Sequence, residues 1–119
     1  MAPPPVLVIA TDIVISALLA SLAELAGCMP VFPELSEHPL AAITRLRPPI
    51  VLLDCDHDLA CEDEAYARAA EIGSRIILFT ASDTHADAER MALQRGVTSF
   101  AFPIHYQDFA RRLRTALDA

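Results

Sequence analysis

Five short apolar runs recur along the chain, separated by segments with a helical pattern. The runs are Val6–Ala10, Met29–Phe32, Ile50–Asp54, Arg75–Thr80 and Thr98–Phe102. Four of them are continuous apolar stretches rather than strict alternations of polar and apolar residues. This pattern is typical of strands that are buried on both faces. The second run is short and weak, as expected for a strand at the edge of a sheet.

Helical patterns lie between and after these runs. The predicted helices cover residues 13–26, 39–47, 62–72, a stretch from a cap at Ser82 or Asp83 to Arg95, and 105–118. Either Thr11 or Asp12 can cap the first helix. Gly27 and Gly96 follow helices at the position where a left-handed residue is favoured. Strand and helix therefore alternate five times.

This alternation predicts an α/β fold, because parallel strands joined by helices must be covered on both faces. We expect a doubly wound (βα)5 three-layer sandwich with a parallel five-stranded sheet in the order 2-1-3-4-5. The order rests on analogy with other doubly wound folds. A length of 119 residues fits one domain over residues 1–119. The binding crevice is expected beyond the carboxyl ends of strands 1 and 3.

Composition and charge narrow the function classes. Apolar residues make up 54% of the chain, which excludes disorder. The formal net charge of −7 disfavours direct binding to nucleic acid or to an anionic membrane, and favours a protein or cationic partner. The longest apolar stretch, Ile13–Ala26, contains polar residues and is too short to span a bilayer. Three cysteines without disulfide spacing, and no secretory leader, predict a cytoplasmic protein.

Polar residues follow several of the predicted strands, and Asp54 is the most informative of them. It ends a fully apolar strand, so its carboxylate is expected at the mouth of the crevice, with Asp12 and Thr80 nearby. A carboxylate there can act as a nucleophile toward a phosphoryl group or as an oxygen ligand for Mg²⁺. The alternative is that Asp54 only caps a loop.

Four motifs resemble those of two-component response regulator receiver domains, the CheY-like family. The segments are Pro49–Asp54, Ile76–Ala81, Gly96–Phe100 and Pro103. The resemblance implies that Asp54 accepts a phosphoryl group, that Thr80 contacts it, and that Phe100 is an aromatic residue that changes rotamer on activation. It also implies a non-enzymatic phosphorelay role, with a histidine kinase or phosphotransfer protein as partner.

Two departures from the family pattern concern the acidic pocket. Receiver domains carry two adjacent acids after strand 1, where this chain has Ala10 and Thr11, with Asp12 one step further. They also carry a lysine before the proline that follows strand 5, where this chain has Phe102. The charge on a transferring phosphoryl group would lack that lysine. Slow or absent phosphotransfer is therefore expected, unless nearby acids substitute.

Two function classes follow from this mixture of matches and departures. The first is a phospho-accepting receiver domain. The second is an unphosphorylated pseudo-receiver that acts as a protein-interaction or dimerisation module. Because Phe100 has no hydroxyl, we expect it to be buried even without phosphate. In either class the signal is expected to leave through the face formed by helix 4, strand 5 and helix 5.

Three further features have open interpretations. Cys55, His57 and Cys61 form either a metal site of unusual spacing or a polar loop with one half-buried thiol. The acids within residues 54–64 form either a loose Ca²⁺ site or a solvated loop and helix start. The first helix carries a single charge, Glu24, so its outer face is either an apolar strip for a partner or a homodimer, or merely small and bland.

The acids that remain predict a weak magnesium site. Asp12, Asp54 and Asp56 are the available ligands, and Mg²⁺ gives up its water reluctantly to a reduced carboxylate set. We expect Mg²⁺ to bind no tighter than about 1 mM. Calorimetric or NMR titration measures this affinity. Micromolar binding that disappears in Asp54→Asn would show instead that Asp12 or the acids at 56 and 58 rebuild the site.

Overall fold

The structure is a computed structural model that describes residues 2–80 and 85–118. The strands are β1 (Pro5–Ile9), β2 (Met29–Val31), β3 (Ile50–Asp54), β4 (Arg75–Thr80) and β5 (Thr98–Ala101). The helices are α1 (Ile13–Leu25), α2 (Pro39–Leu46), α3 (Asp63–Ile72), α4 (His85–Arg95) and α5 (Tyr106–Asp118). The predicted element ends agree with these bounds to within one residue, except that the predicted cap of the fourth helix at Ser82 or Asp83 lies outside the described residues.

The strands form one parallel sheet in the order β2-β1-β3-β4-β5, as predicted. Ile9 of β1 is level with Leu53 of β3, and Asp54 is level with Phe79 of β4. The carboxyl ends of β1, β3 and β4 therefore lie side by side. This register brings the segment that follows β1, and the end of β4 at Thr80, next to the acid that ends β3.

The core consists of two apolar layers, one on each side of the sheet. Alternate residues of the strands point to opposite sides, so β3 contributes Ile50 and Leu52 to one layer and Val51 and Leu53 to the other. Helices α1 and α5 cover the first layer, and α2, α3 and α4 cover the second. This burial on both sides is why the central strands must be apolar throughout.

The loop after β3 differs from the prediction. It was expected to be polar, but it contains a 3₁₀ helix, Asp58–Cys61, that buries Leu59 and Ala60 in the core. His57 begins this turn, because its Nδ1 accepts a hydrogen bond from the Leu59 N–H at 3.0 Å. A capping histidine followed by two buried apolar residues gives the loop a fixed shape beside the site.

The outer face of α1 is an exposed apolar strip, which favours the first of its two interpretations. Ile13, Val14 and Leu25 are 84%, 70% and 68% exposed, and Leu18 is also exposed. Glu24 is the one charged residue of the helix. No helix in the described part of the chain is both long and apolar enough to cross a membrane.

Candidate functional site

Asp54 lies where the sequence predicts it, at the carboxyl end of the central strand, but its carboxylate is buried rather than open to the crevice. The residue is 5% exposed. Its Oδ2 accepts hydrogen bonds from the Thr11 N–H at 3.2 Å and from the Thr11 hydroxyl at 3.0 Å. Its Oδ1 accepts one from the Asp56 N–H at 2.9 Å. These donors compensate the carboxylate for the water it loses on burial.

Thr11 is a site residue that sequence reasoning missed. The sequence indicates only that Thr11 can cap a helix or that it stands where receiver domains carry an acid. In the structure its backbone N–H and its hydroxyl both donate hydrogen bonds to Asp54. The usable signal is its position two residues beyond Ile9, which is level with Leu53 on the neighbouring strand. A hydroxyl at that position donates a hydrogen bond to the carboxylate, where an acid would repel it unless a cation lay between them.

The two other predicted metal ligands have different roles. Asp12 caps α1, because its Oδ1 accepts hydrogen bonds from two backbone N–H groups of the first turn at 2.7 and 3.4 Å. The Asp56 side chain is exposed, and its backbone N–H contacts Asp54. In the described residues, no three Asp, Glu, His or Cys side chains are grouped so that they could hold a metal ion. Asp12, Asp54 and Asp56 are therefore not assembled into a site, and neither are the acids of residues 54–64.

A magnesium ion does not fit the donor set around Asp54. Mg²⁺ requires oxygen lone pairs in near-octahedral geometry at about 2.1 Å. Here three donors point at the carboxylate, two on Oδ2 and one on Oδ1. These donors compete with a cation for the carboxylate lone pairs, and in the described residues the further acidic ligands are not grouped around Asp54. We therefore assign no chemical step to a metal ion at this site.

The alternative metal site in the same loop is not assembled either. The Nδ1 of His57 already accepts a backbone hydrogen bond, so this lone pair is not available to a metal. Burial and, to a smaller extent, the charges of Asp56 and Asp54 raise the pKa of the Cys55 thiol. A thiol with a raised pKa stays protonated near neutral pH and is a poor ligand or nucleophile. Cys61 is exposed and free. These observations favour a loop without a metal ion over the metal site, although the loop buries Leu59 and Ala60 and is not polar throughout.

Thr80 ends β4 and lies next to the Asp54 position in the sheet. It is 1% exposed and directly follows Phe79, which is level with Asp54. Its carbonyl accepts a hydrogen bond from the Phe102 N–H at 3.0 Å. The backbone at the end of β4 is thus tied to the segment that follows β5.

Four phenylalanines form a cluster beside the site. They are Phe79, Phe100, Phe102 and Phe109, with ring centroids 5.6–6.1 Å apart in the contacting pairs. Phe100 stacks on Phe79 at an interplanar angle of 23° and meets Phe109 edge-on at 90°. It is 6% exposed and therefore buried in the cluster. Each such pair contributes about 0.5–1.5 kcal/mol beyond its burial.

Phe102 joins this cluster from the position at which receiver domains carry a lysine. It contacts Phe79 and Phe100 edge-on, at interplanar angles of 74° and 83°. The sequence contains no lysine, and all nine of its basic residues are arginines. The side of the pocket that would hold a cation in a receiver domain is therefore aromatic.

The sequence matches no protein-family model and no curated protein. Solved structures are similar over nearly the whole chain. A receiver domain of a modulated diguanylate cyclase from Desulfovibrio desulfuricans G20 is 25% identical, with a TM-score of 0.74, over 98% of this chain and 94% of that one. A response regulator receiver protein from Burkholderia phymatum is 21% identical, with a TM-score of 0.75, over 97% and 95%.

An orphan response regulator of Helicobacter pylori is 16% identical, with a TM-score of 0.73, and the match covers 98% of each chain. These similarities and the sheet order define the class: the chain has the fold of response regulator receiver domains. The resemblance found in the sequence is thus confirmed for the fold.

Removing the Thr11 hydroxyl is expected to destabilise the protein, because it leaves a buried carboxylate oxygen short of a donor. We expect Thr11→Val to lower the free energy of unfolding by about 2 kcal/mol, and Thr11→Ser to lower it by much less. Urea unfolding measures both. Thr98→Val, at an exposed position of β5, is the matched control and should change stability by no more than about 0.5 kcal/mol. Equal losses for the two valine variants would show that the hydroxyl does not support Asp54.

Proposed function

We propose that this chain is a receiver-like signalling module that works as a pseudo-receiver, binding a protein partner in a conformation that does not depend on phosphorylation of Asp54. The observation that carries the proposal is the state of the Asp54 carboxylate, which is 5% exposed and accepts three hydrogen bonds. A nucleophile needs a free lone pair in line with the phosphorus atom. The donors of Thr11 and Asp56 compete for the lone pairs of both carboxylate oxygens, which makes Asp54 a weaker nucleophile.

Electrostatics supports the same proposal. Phosphorylation would replace the single charge of the Asp54 carboxylate with up to two negative charges on the phosphoryl group, in a chain whose net charge is already −7. Metal and lysine usually compensate for such charge, and here Thr11 and Phe102 stand at the matching positions. Aromatic side chains cannot replace a cation beside a phosphoryl dianion.

The output surface that we propose is the face of α4, β5 and α5. A cavity of about 240 Å³ lies between these elements, and its lining includes Thr80, Phe100, Glu89 and Asp108. The residues that would move in a switching receiver domain therefore border the same groove as charged residues of the two helices. In a pseudo-receiver this groove keeps one shape, which a partner protein can recognise.

The second candidate is a phospho-accepting receiver domain. It is favoured by the position of Asp54 at the end of the central strand, with Thr80 on the adjacent strand and Phe100 beyond it. Its partner would be a histidine kinase or a phosphotransfer protein. For both candidates we propose a non-enzymatic role in the cytoplasm, in a single domain of 119 residues, without direct contact to nucleic acid or membrane.

Acetyl phosphate separates the two candidates. With Mg²⁺ present, we expect the intact mass of the protein to stay unchanged and the NMR spectrum of residues 85–112 to show no large shifts. The variant Thr11→Asp/Phe102→Lys restores an acid and a lysine at the positions where the family carries them. We expect this variant to gain a Mg²⁺-dependent mass increase of one phosphoryl group, which Asp54→Asn abolishes.

Stoichiometric phosphorylation of the unmodified chain at Asp54, with large shifts across residues 85–112, would refute the pseudo-receiver proposal in favour of the second candidate. A small mass increase without those shifts would indicate a slow phosphoacceptor whose modification is not transmitted to the proposed output face.

The exposed strip of α1 favours a homodimer as one state of the module. Val14, Leu18 and Leu25 lie at helical spacing on one side of a 13-residue helix, next to Ile13. Two copies packed antiparallel about a two-fold axis would bring these apolar faces together. The strip is one side of a single 13-residue helix, which is small for a specific interface. We therefore propose a weak dimer formed through α1.

Sedimentation at increasing concentration tests this dimer. We expect Leu18→Glu, which puts a charge in the centre of the strip, to weaken self-association at least tenfold. Leu35→Glu is the control, because Leu35 is fully exposed outside the helix. A monomer at all concentrations, or equal effects of the two variants, would exclude α1 as the dimer surface.

A further inference from the structure

A second, larger cavity lies at the opposite edge of the sheet from Asp54. Its volume is about 580 Å³, and it is bounded by the start of β4, the start of β5, the carboxyl ends of α3 and α4, and the middle of α5. This size is within the range of small-molecule sites, about 300–1,000 Å³. Its walls include the ring of Tyr66 and the apolar side chains of Ile76, Val97 and Ala116.

All charged side chains that line this cavity are arginines. They are Arg75, Arg95, Arg111 and Arg112, and no acid is among the lining residues. The chain has sixteen acids and nine arginines, so an acid-free wall that holds four arginines departs strongly from the composition. Such a wall creates a positive potential inside a molecule whose net charge is negative.

Protein contacts hold two of these arginines in place. The Arg95 guanidinium lies 4.7 Å from the centre of the Tyr66 ring and pairs with Asp63, an exposed residue outside the lining. Arg111 pairs with Asp108 at 2.8 Å. The helix dipole favours a basic residue at the carboxyl end of a helix, which explains why an arginine ends α4 at Arg95. It does not explain Arg111, which lies within α5.

The other two arginines are not neutralised by the protein. In the described residues, neither the Arg75 nor the Arg112 side chain forms an ion pair. Arg112 donates from Nη1 to the Ser99 carbonyl at 2.8 Å, while its Nε is buried without a hydrogen-bond partner. A buried donor without a partner is uncommon in native proteins. The cavity thus holds guanidinium groups that have no acidic partner among the residues that the structure describes.

We infer that this cavity binds a small organic anion, with a phosphate or carboxylate group directed at Arg75 and Arg112 and an apolar body against Ile76, Val97 and the Tyr66 ring. Guanidinium groups bind both kinds of anion in planar, two-point geometry. The apolar part of the wall would contact the body of an organic ligand. An inorganic ion would contact only the arginines and would therefore bind more weakly. The inference does not rest on the Asp54 site, because no residue of that site lines this cavity.

NMR titration of the full chain with four probes tests the inference. The probes are 1-naphthyl phosphate, 1-naphthoate, neutral 1-naphthol and inorganic phosphate. We expect the two naphthyl anions to bind saturably below about 1 mM, with shifts at residues 73–76, 95–98 and 111–116. Naphthol and inorganic phosphate should each bind at least tenfold more weakly. The stronger of the two anions identifies whether phosphate or carboxylate is the preferred group.

Two pairs of variants localise the binding. Arg75→Gln should weaken binding about tenfold, because it removes about one charge-assisted hydrogen bond to the anion. Arg114→Gln is the control and should have little effect, because it makes the same charge change at an exposed position of α5 outside the lining. Ala70→Trp should block the cavity, whereas Ala67→Trp, on the same helix but outside the lining, should not.

Equal binding of naphthol and the anions would overturn the inference, as would equal losses for the two glutamine variants. Absence of saturable shifts in the three segments at 10 mM would also overturn it, since this is tenfold above the expected constant.

Discussion

The contact between Thr11 and the Asp54 carboxylate is the interaction on which the rest of the site depends. A charged group that is only 5% exposed must find donors within the protein. The sheet order places β1 next to β3, so the first residues after β1 are the nearest source of such donors. An acid at that position would add negative charge and require a cation between the two carboxylates. A threonine meets the same need without any ion.

In the aromatic cluster, as at Thr11, a neutral side chain stands where receiver domains carry a charged group. Where a phosphorylated receiver domain balances a dianion with a metal and a lysine, this pocket contains a hydroxyl donor on one side and Phe102 on the other. Phe102 also packs on Phe79 and Phe100. A single residue therefore supplies both the neutral wall of the pocket and a packing contact to the Phe100 ring.

The elements were predictable because their signals are local. Continuous apolar runs mark strands buried on both faces, and the run Ile50–Leu53 placed Asp54 at the end of the central strand. The partners of Asp54 were not predictable in this way, because they depend on the register between β1 and β3 and on the rotamer of Thr11. Asp12 illustrates the difference, because the sequence is compatible both with a helix cap and with a metal ligand at this position. In the structure its Oδ1 accepts hydrogen bonds from two backbone N–H groups of the first turn of α1, so it is a cap. The burial of Leu59 and Ala60 could not be predicted, because it depends on a 3₁₀ turn and a turn this short produces no periodic pattern in the sequence.

Arg111 and Arg112 line both cavities, one at each edge of the α5 packing surface. Any molecule that draws these two guanidinium groups toward one cavity removes positive charge from the other. Thermodynamic linkage then requires that a ligand in the larger cavity and a partner on the face of α4, β5 and α5 change each other's affinity by the same factor. The pseudo-receiver proposed above would in this way have a reversible switch, controlled by the concentration of a small organic anion rather than by phosphorylation.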